Sequence, residues 1–424
     1  MTIVSFPYGR GCLDLNIPDE RLEAVLLSRA HDFQPEAGES ELVRRALDRP
    51  VASPRLSQLA QGRSNIVLLA SDHTRPVPSR IILPLLMEEI RRGQPDAQVK
   101  ILISTGCHRA STRQELEAKF GPEVLAEHAI EMHDCQNSEV VRVGRLPSGA
   151  ELRLNKTALE ADLLIAEGFI EPHFFAGYSG GRKSVFPGVT NFKSVVANHC
   201  SAFIAHPRAR SGFLDGNPIH EDMVDAARQA GLAFIANVVI DSEKKVIQAF
   251  AGHFDQAHRA GAAFLDDLAG VRAAPADIVI TSNGGYPLDQ NLYQAVKGLS
   301  TAEASVKEGG VIIMAAQAGD GHGGETFWRT FREEKDLRRL TDSFLARRPE
   351  ETIADQWQSQ ILARVLGRAR VIMVSEAERR LVEDLHLIPA ASLEEALNLA
   401  DSLLGHHRGR ITAIPDGIGV IVRP

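Results

Sequence analysis

The sequence lacks several features that would assign it to a common class of protein. Its 424 residues contain four cysteines without a CxxC spacing, which gives no sign of a disulfide framework or a thiolate zinc site. No apolar run reaches the roughly 18 residues of a membrane span. The N-terminus has no basic stretch followed by an apolar one, as a secretory signal would. We therefore expect a cytoplasmic protein with no membrane partner.

An excess of positive charge is also missing. The chain has 47 Lys and Arg against 55 Asp and Glu, a formal net charge of -8. Nucleic-acid-binding proteins normally present a basic face, so we expect no nucleic-acid partner. The chain is longer than one hydrophobic core usually serves, which predicts two domains.

Strand-like and helix-like segments alternate along most of the chain. Short, continuously apolar runs are typical of buried parallel strands, and each is followed by a polar loop and an amphipathic helix, which is the βαβ pattern. The predicted strands include 65–70, 99–103, 162–168, 277–281, 310–315 and 370–374, with a hairpin at 233–239 and 245–250. The predicted helices include 80–92, 111–119 (capped by Ser111), 190–199, 218–229, 254–268, 289–307, 325–345, 353–366 and 392–404.

The best linker candidate is the segment 273–276. We therefore predict an α/β fold with two α/β domains, residues 1–272 and 273–424, whose mostly parallel sheets face a central cleft. The short apolar segments 3–6 and 13–17 are interpreted as edge strands, and 418–422 as a strand that returns to either sheet.

Polar residues follow three predicted strands of the first domain. Because the carboxyl ends of parallel strands meet at one edge of a sheet, these residues can converge there. The third loop, residues 171–183, is rich in glycine, which allows backbone N–H groups to turn toward an anion. The candidates are Asp72, His73, Thr74 and Arg75, then His108, then His173 and Lys183. Histidine can titrate near neutral pH, and lysine can act as an amine nucleophile.

Each candidate taken alone also has an ordinary structural explanation. Glycine-rich loops are common, and the pair Arg182 and Lys183 could be solvated. His108 could be a surface histidine, and Arg75 could pair with a surface carboxylate. His199, near the end of a predicted helix, could interact with the helix dipole.

Five motifs in order distinguish these explanations. They are Asp72-His73-Thr74-Arg75-Pro76, Gly106-Cys107-His108-Arg109, the stretch from Glu171-Pro172-His173 to Gly180-Gly181-Arg182-Lys183, Asn198-His199, and Gln294-Ala295-Val296-Lys297. With these motifs the chain resembles the nickel-pincer-dependent lactate racemase family over nearly its whole length.

The resemblance implies a fold, a cofactor and a role for each residue. It implies a nicotinic-acid-derived mononucleotide of the pyridinium bis-thiocarboxylate type, which holds nickel in a sulfur–carbon–sulfur pincer and is attached to a lysine. It implies that Lys183 is the attachment site and His199 the nickel ligand, and that His108 and His173 are the acid/base pair. Asp72, His73, Thr74 and Arg75 would contact the cofactor, and Arg75, Gln294 and Lys297 the substrate carboxylate.

The function implied is racemisation or epimerisation of a small 2-hydroxy acid, lactate or a larger analogue, by hydride transfer. Cofactor-biosynthesis proteins would be needed as loading partners. A nicotinamide dehydrogenase would need GxGxxG after a strand, which loops 71–78 and 104–109 lack. A nucleotide-binding protein without racemase activity could dispense with Lys183 or one histidine, and the chain retains them all. The sequence does not identify the 2-hydroxy acid.

Overall fold

A computed structural model of the chain describes residues 1–423, with the exception of the side chain of His31. The strands are β1 Thr2–Tyr8, β2 Gly11–Ile17, β3 Leu22–Val25, β4 Asn65–Ser71, β5 Gln98–Ser104, β6 Ala129–Met132, β7 Val140–Arg145, β8 Glu151–Asn155, β9 Leu163–Phe169, β10 Pro172–His173, β11 Gly177–Tyr178, β12 Leu232–Ile240, β13 Val246–Gly252, β14 Gly270–Arg272, β15 Ala276–Ser282, β16 Val306–Ala315, β17 Arg370–Val374, β18 Ile388–Ala390, β19 Ile411–Ile414 and β20 Ile421–Arg423.

The helices connect these strands and cover the sheets. They are α1 Glu39–Asp48, α2 Leu56–Leu59, α3 Ser79–Gly93, α4 Arg113–Phe120, α5 Pro122–Glu127, α6 Lys156–Leu159, α7 Phe192–Asn198, α8 Ser201–Ala205, α9 Pro218–Gln229, α10 Gln256–Ala269, α11 Leu292–Ala302, α12 Glu325–Glu333, α13 Leu337–Leu345, α14 Gln356–Arg368, α15 Arg379–Asp384 and α16 Leu393–Leu404. Short 3-10 turns lie at Arg29–His31, Gly181–Ser184 and Pro349–Glu351. Among residues 1–423 no helix combines the length and apolarity needed to cross a membrane.

Two six-stranded sheets confirm the predicted α/β fold class. The first has the order β13-β12-β9-β4-β5-β6, and its strands are parallel except for the antiparallel pair β12–β13. The second has the order β18-β17-β16-β15-β19-β3 and is parallel throughout. Their central strands are buried on both faces by helices, as their continuous apolar runs require.

The N-terminal segment belongs with the second sheet. Strand β3 pairs with β19, and the antiparallel hairpin β1–β2 packs Val4, Phe6, Leu15 and Ile17 onto β15 and β16. The domain division at 272/273 stays a prediction, and we propose that a division by sheets would group residues 2–25 with the C-terminal part. Strand β20 pairs with β14 in a separate two-stranded sheet, and with neither large one.

Several predicted boundaries were wrong for local reasons. Helix α4 is capped by Thr112, which exchanges hydrogen bonds with Glu115, and not by Ser111. The predicted helix 325–345 is two helices, because Asp336 caps α13 with bonds to two backbone N–H groups. Helix α11 begins after its Asn291 cap and ends at Ala302, ahead of β16.

Candidate active site

Three neighbouring parallel strands deliver the candidate residues to one edge of the first sheet. Strand β4 lies between β9 and β5, and all three run in the same direction. The loop after β4 carries Asp72 to Arg75, the loop after β5 carries His108, and the segment after β9 carries His173 and Lys183. The convergence expected from the sequence is therefore present in the fold.

Asp72 and His108 form a hydrogen-bonded pair at this edge. His108 Nδ1 lies 2.6 Å from Asp72 Oδ2, and the hydroxyl of Thr74 donates to Asp72 Oδ1 at 2.6 Å. Burial would raise the pKa of Asp72, but the hydrogen bonds from His108 and Thr74 outweigh it and lower that pKa to about 2. Asp72 is thus an ionised acceptor, His108 Nδ1 donates to it, and Nε2 is the ring's remaining acceptor in the neutral form.

The two other residues of this loop point in different directions. His73 turns toward the start of α4, where Nδ1 lies 2.9 Å from Ser111 Oγ and Nε2 lies 3.8 Å from Glu115. The carbonyl of Arg75 accepts a hydrogen bond of 2.9 Å from Lys119 Nζ. The positive charge of Arg75 acts on His173 and Lys183. Arg75 is therefore near the other candidates, whereas the ring of His73 is engaged with α4.

His173 is held in a group of aromatic rings. Its ring stacks on Phe174 with centroids 5.1 Å apart and meets Phe175 edge-on at 4.5 Å. The backbone N–H of Ala176 donates to His173 Nδ1 at 3.3 Å. Burial and the charge of Lys183 lower the pKa of His173 well below its usual value, so the neutral imidazole is the form present at neutral pH.

Lys183 has the environment of an amine nucleophile. Its Nζ lies 5.8 Å from the centroid of Phe175. Burial, followed by the charges of Arg182 and Arg75, lowers the pKa of Lys183 well below its usual value. A lowered pKa increases the fraction of the amine that is unprotonated, and the unprotonated amine is the nucleophilic form.

The glycine-rich loop is organised differently from the anion cradle that its sequence suggests. The N–H of Ser179 bonds the carbonyl of Glu171 at 2.9 Å, and the N–H of Gly181 bonds Asn237 Oδ1 at 2.7 Å. Gly180 and Gly181 have φ of +81° and +54°, and a Cβ at Gly181 would lie 2.8 Å from the His258 ring. These glycines allow close packing, and the N–H groups of Ser179 and Gly181 already have partners within the protein.

Arg182 stabilises the conformation of this loop, a role that the sequence analysis did not predict. Its side chain is 1% exposed, and its guanidinium donates to the carbonyls of Ala176 and Tyr178 at 2.8 and 2.7 Å. Nη1 also lies 3.0 Å from His258 Nε2. The interpretation of Arg182 as a solvated surface cation is wrong. Only its position between two glycines and a lysine hinted at this burial.

His199 has one ring nitrogen fixed and the other available. It is the C-terminal cap of α7, and Nδ1 donates to the carbonyl of Val195 at 3.0 Å. Among the described residues, no hydrogen bond is made to Nε2. Burial lowers the pKa of His199 to about 3, so the ring is neutral, as a metal ligand must be. Phe175 lies 5.1 Å away on one side of the ring and Trp357 5.1 Å away on the other.

The second half of the chain adds a cation and an amide to this group of residues. Lys297 lies on α11, and its charge acts on His173 and Lys183. Burial, followed by the charge of Arg75, lowers the pKa of Lys297 to about 8. Gln294, one turn earlier, has a buried Oε1 without a hydrogen-bond partner in the part of the chain that is described. Such an atom is available to a ligand's donor.

Tyr293 and Asp355 form a pair that no sequence pattern predicted. Tyr293 Oη donates to Asp355 Oδ1 at 3.0 Å, and Asp355 adopts a left-handed backbone conformation with φ of +62° at the start of α14. Helix α14 also carries Trp357, and its Gln360 exchanges two 2.9 Å hydrogen bonds with Ser201. The contact between α14 and α8 therefore joins the two halves next to His199.

Fold and site together define a class of protein: an α/β enzyme in which histidine rings, a lysine of lowered pKa and further cations are gathered from both halves of the chain. The family model described as the lactate racemase N-terminal domain matches residues 8–212, and the one described as the lactate racemase C-terminal domain matches residues 271–422. The chain belongs to the lactate racemase family, which is a family of isomerases.

Full-length relatives support the same assignment. A lactate racemase from Thermoanaerobacterium thermosaccharolyticum is 53% identical, and one from Lactiplantibacillus plantarum is 48% identical, each over 100% of both chains. The structure of the lactate racemase apoprotein from T. thermosaccharolyticum superposes with a TM-score of 0.97 at 52% identity over 100% of both chains. A Thermotoga maritima protein shares the fold, with a TM-score of 0.65 at 18% identity over 91% of this chain and 98% of its own.

Proposed function

We propose that this chain interconverts the two enantiomers of a 2-hydroxy acid, with lactate as the first candidate, and that it does so with a nickel-pincer nucleotide attached to Lys183. The relatives at 53% and 48% identity are named for lactate. One structural observation carries the proposal: the ring of Phe175 lies 4.5 Å from the ring of His173, 5.1 Å from the ring of His199 and 5.8 Å from Nζ of Lys183, so that these three residues surround it.

The residues present fit such a cofactor. Among residues 1–423, apart from the side chain of His31, no group of three or more His, Cys, Asp or Glu is placed to hold a metal ion. His199 offers one lone pair, so the remaining ligands would have to arrive with the cofactor. A pincer that brings sulfur, carbon and sulfur supplies three, and imidazole is a suitable fourth ligand for nickel. Lys183 is the nearby amine that could carry the covalent attachment.

Held by Lys183 and His199, the cofactor would supply a reversible hydride acceptor, and racemisation would then need no carbanion beside the carboxylate. The protein must hold the substrate while its carbonyl turns. Arg75 and Lys297 supply positive charge for the carboxylate, and Gln294 Oε1 can orient the substrate by accepting a hydrogen bond from its hydroxyl group.

Histidines of the chain would accept and return the proton of the substrate hydroxyl. Asp72 fixes His108 so that Nε2 can accept a proton. His173 comes from a different strand and is neutral in the free protein. The substrate carboxylate would offset the surrounding cations that disfavour a protonated His173. Two histidines therefore suit a reaction that runs in both directions.

The nickel ligand can be distinguished from its neighbour. Cys200 is the rival, because thiolates also bind nickel. Cys200 is 3% exposed, and burial raises the pKa of its thiol, so we expect the sulfur to stay protonated. His199→Ala should therefore lose nickel while Cys200→Ala retains it, as measured by metal analysis of loaded protein. Loss of nickel from the Cys200 variant alone would show that the ligand is Cys200.

The pH dependence should report Lys297. Because its pKa in the free protein is about 8, the ammonium is present below that pH and is lost above it. We expect kcat/KM to fall by about tenfold per pH unit once pH exceeds roughly 8, since kcat/KM reports the free enzyme. Lys297→Gln should lower kcat/KM at neutral pH by roughly tenfold to hundredfold and remove this step. Lys297→Arg, which keeps its charge, should also remove the step, and an unchanged step in both variants would assign it elsewhere.

The function itself is tested with protein produced together with the cofactor-biosynthesis proteins, which we propose as its loading partners. The loaded chain should show an added mass, bound nickel, and conversion of pure L-lactate into a mixture of enantiomers by chiral chromatography. If the loaded chain does not racemise lactate but racemises a larger 2-hydroxy acid, the proposed reaction holds and only the proposed substrate is wrong. Loading without racemisation of any 2-hydroxy acid would contradict the function.

A further inference from the structure

A carboxylate lies inside the strand that leads to the glycine-rich loop. All seven residues of β9 are buried, and Glu167, which is 0% exposed, is the charged residue among them. Removing a carboxylate from water is unfavourable unless hydrogen bonds replace those that it made to the solvent. The partners of Glu167 therefore indicate what this carboxylate does in the fold.

These partners lie at the two ends of the loop that carries Asp72. The N–H and the hydroxyl of Ser71, the last residue of β4, each donate to Glu167 Oε1 at 3.1 Å. The hydroxyl of Ser79, the first residue of α3, lies 3.1 Å from Oε1 and 3.0 Å from Oε2. One buried side chain thus joins both the start and the end of loop 72–78 to β9.

The attachment acts where the sheet no longer holds the chain. The backbone pairing of β4 with β5 ends at Ser71, and Asp72 is the next residue. The two hydrogen bonds that Asp72 Oδ1 accepts from Thr74 lie within the loop, so they move with it. Asp72 Oδ2 in turn lies 2.6 Å from His108 Nδ1. A continuous path therefore leads from Glu167 through Ser71 and Asp72 to the ring of His108.

We propose that Glu167 is a positioning residue, whose hydrogen bonds to Ser71 and Ser79 keep Asp72 where it holds His108 with the proton on Nδ1. The hydrogen bonds are the cause, and not the charge. In glutamine the side-chain oxygen can accept both bonds from Ser71, and the amide group can donate to the hydroxyl oxygen of Ser79. Glu167→Gln should therefore keep the arrangement, and Glu167→Ala should lose it.

The tautomer of His108 is the direct readout. The chain is labelled with 15N-histidine and studied without cofactor by NMR, at a pH at which the ring is neutral, and His108→Ala identifies the signal. We expect the Nδ1–H tautomer in the unmodified chain and in Glu167→Gln, and a mixture of both tautomers in Glu167→Ala. An unchanged tautomer in Glu167→Ala would overturn the proposal. Loss of the tautomer in Glu167→Gln as well would assign the effect to the charge and also overturn it.

A second buried carboxylate provides the matched control. Glu89 on α3 is 4% exposed, and Arg55 donates to its Oε1 at 2.7 Å. Glu89→Ala should lower the thermal unfolding temperature and leave the His108 signal unchanged. The same change of tautomer in Glu89→Ala would show a general loss of stability and contradict a specific role of Glu167. If Glu167→Ala does not fold, Ser79→Ala takes its place, and it should give a smaller change of tautomer in the same direction.

Only the effect on activity rests on the function proposed above, because the tautomer is measured on the protein alone. In the loaded chain, Glu167→Ala should lower racemisation by about tenfold, which is less than the roughly 10²- to 10⁴-fold of a lost acid–base group. Glu167→Gln should restore it. A changed tautomer with unchanged racemisation would support the positioning role and contradict the acid–base role of His108.

An activity loss without a changed tautomer would overturn the positioning role.

Discussion

Replacing Lys183 with alanine should abolish covalent loading and, with it, all measurable racemisation. The amine is partly buried, its pKa is lowered well below its usual value by burial and by neighbouring cations, and it shares the neighbour Phe175 with the neutral ring of His199. Intact mass spectrometry of protein produced with the cofactor-making proteins should find an adduct on the unmodified chain and none on Lys183→Ala.

A second lysine provides a matched control. Lys193 lies ten residues further along, on α7, and its side chain is exposed. Lys193→Ala should therefore keep both adduct and activity. Thermal unfolding of the Lys183 variant should show that it remains folded, since removing a buried amine does not remove a required ion pair. An adduct of equal mass on Lys183→Ala would place the attachment at another residue.

The second large effect is expected at the two histidines. General acid–base groups typically contribute about 10²- to 10⁴-fold, so His108→Ala and His173→Ala should each lower racemisation by roughly that factor in both directions. The sharper measurement is a single turnover that starts from one pure enantiomer on loaded enzyme, with the 2-oxo acid quantified after quenching. Each variant should fail to form the oxo acid from one enantiomer, and the two variants should fail with opposite enantiomers.

We expect opposite failures because the two histidine rings follow different strands. His108 follows β5 and is fixed by Asp72, whereas His173 follows β9 and packs against Phe174 and Phe175. His406→Ala is the control, because that exposed residue acts on Asp277 at the start of β15, the end away from the cleft. If both histidine variants lose the same half-reaction, one of the two histidines only orients the substrate and is not an acid/base residue.

Local sequence patterns were sufficient for much of the fold. Apolar runs marked β4, β5, β9, β15, β16 and β17, because a strand buried on both faces needs side chains that lose no hydrogen bonds there. The residues that cap the helices were predicted less accurately. Ser111 and Thr112 are both good capping residues, and only the bond between Thr112 and Glu115 selected between them.

The candidate site was predictable as a set of residues but not as an arrangement. The order of five motifs pointed to Asp72, His108, His173, Lys183 and Lys297. It did not show that the ring of His73 turns to Ser111, or that the N–H of Gly181 in the glycine-rich loop donates to Asn237. These outcomes depend on partners far away in the chain, such as Asn237.

The sequence by itself determined the α/β class, the family and the residue types available for chemistry, because these are written in short periodic patterns and in motif order. Tertiary structure alone decided that β3 joins the second sheet and that Arg182, next to Lys183 in the glycine-rich loop, is buried. The physical reason is that burial and pairing are set by which distant segments pack together. That packing also lowers the pKa of Lys183, since desolvation and neighbouring cations act on the amine only in the folded chain.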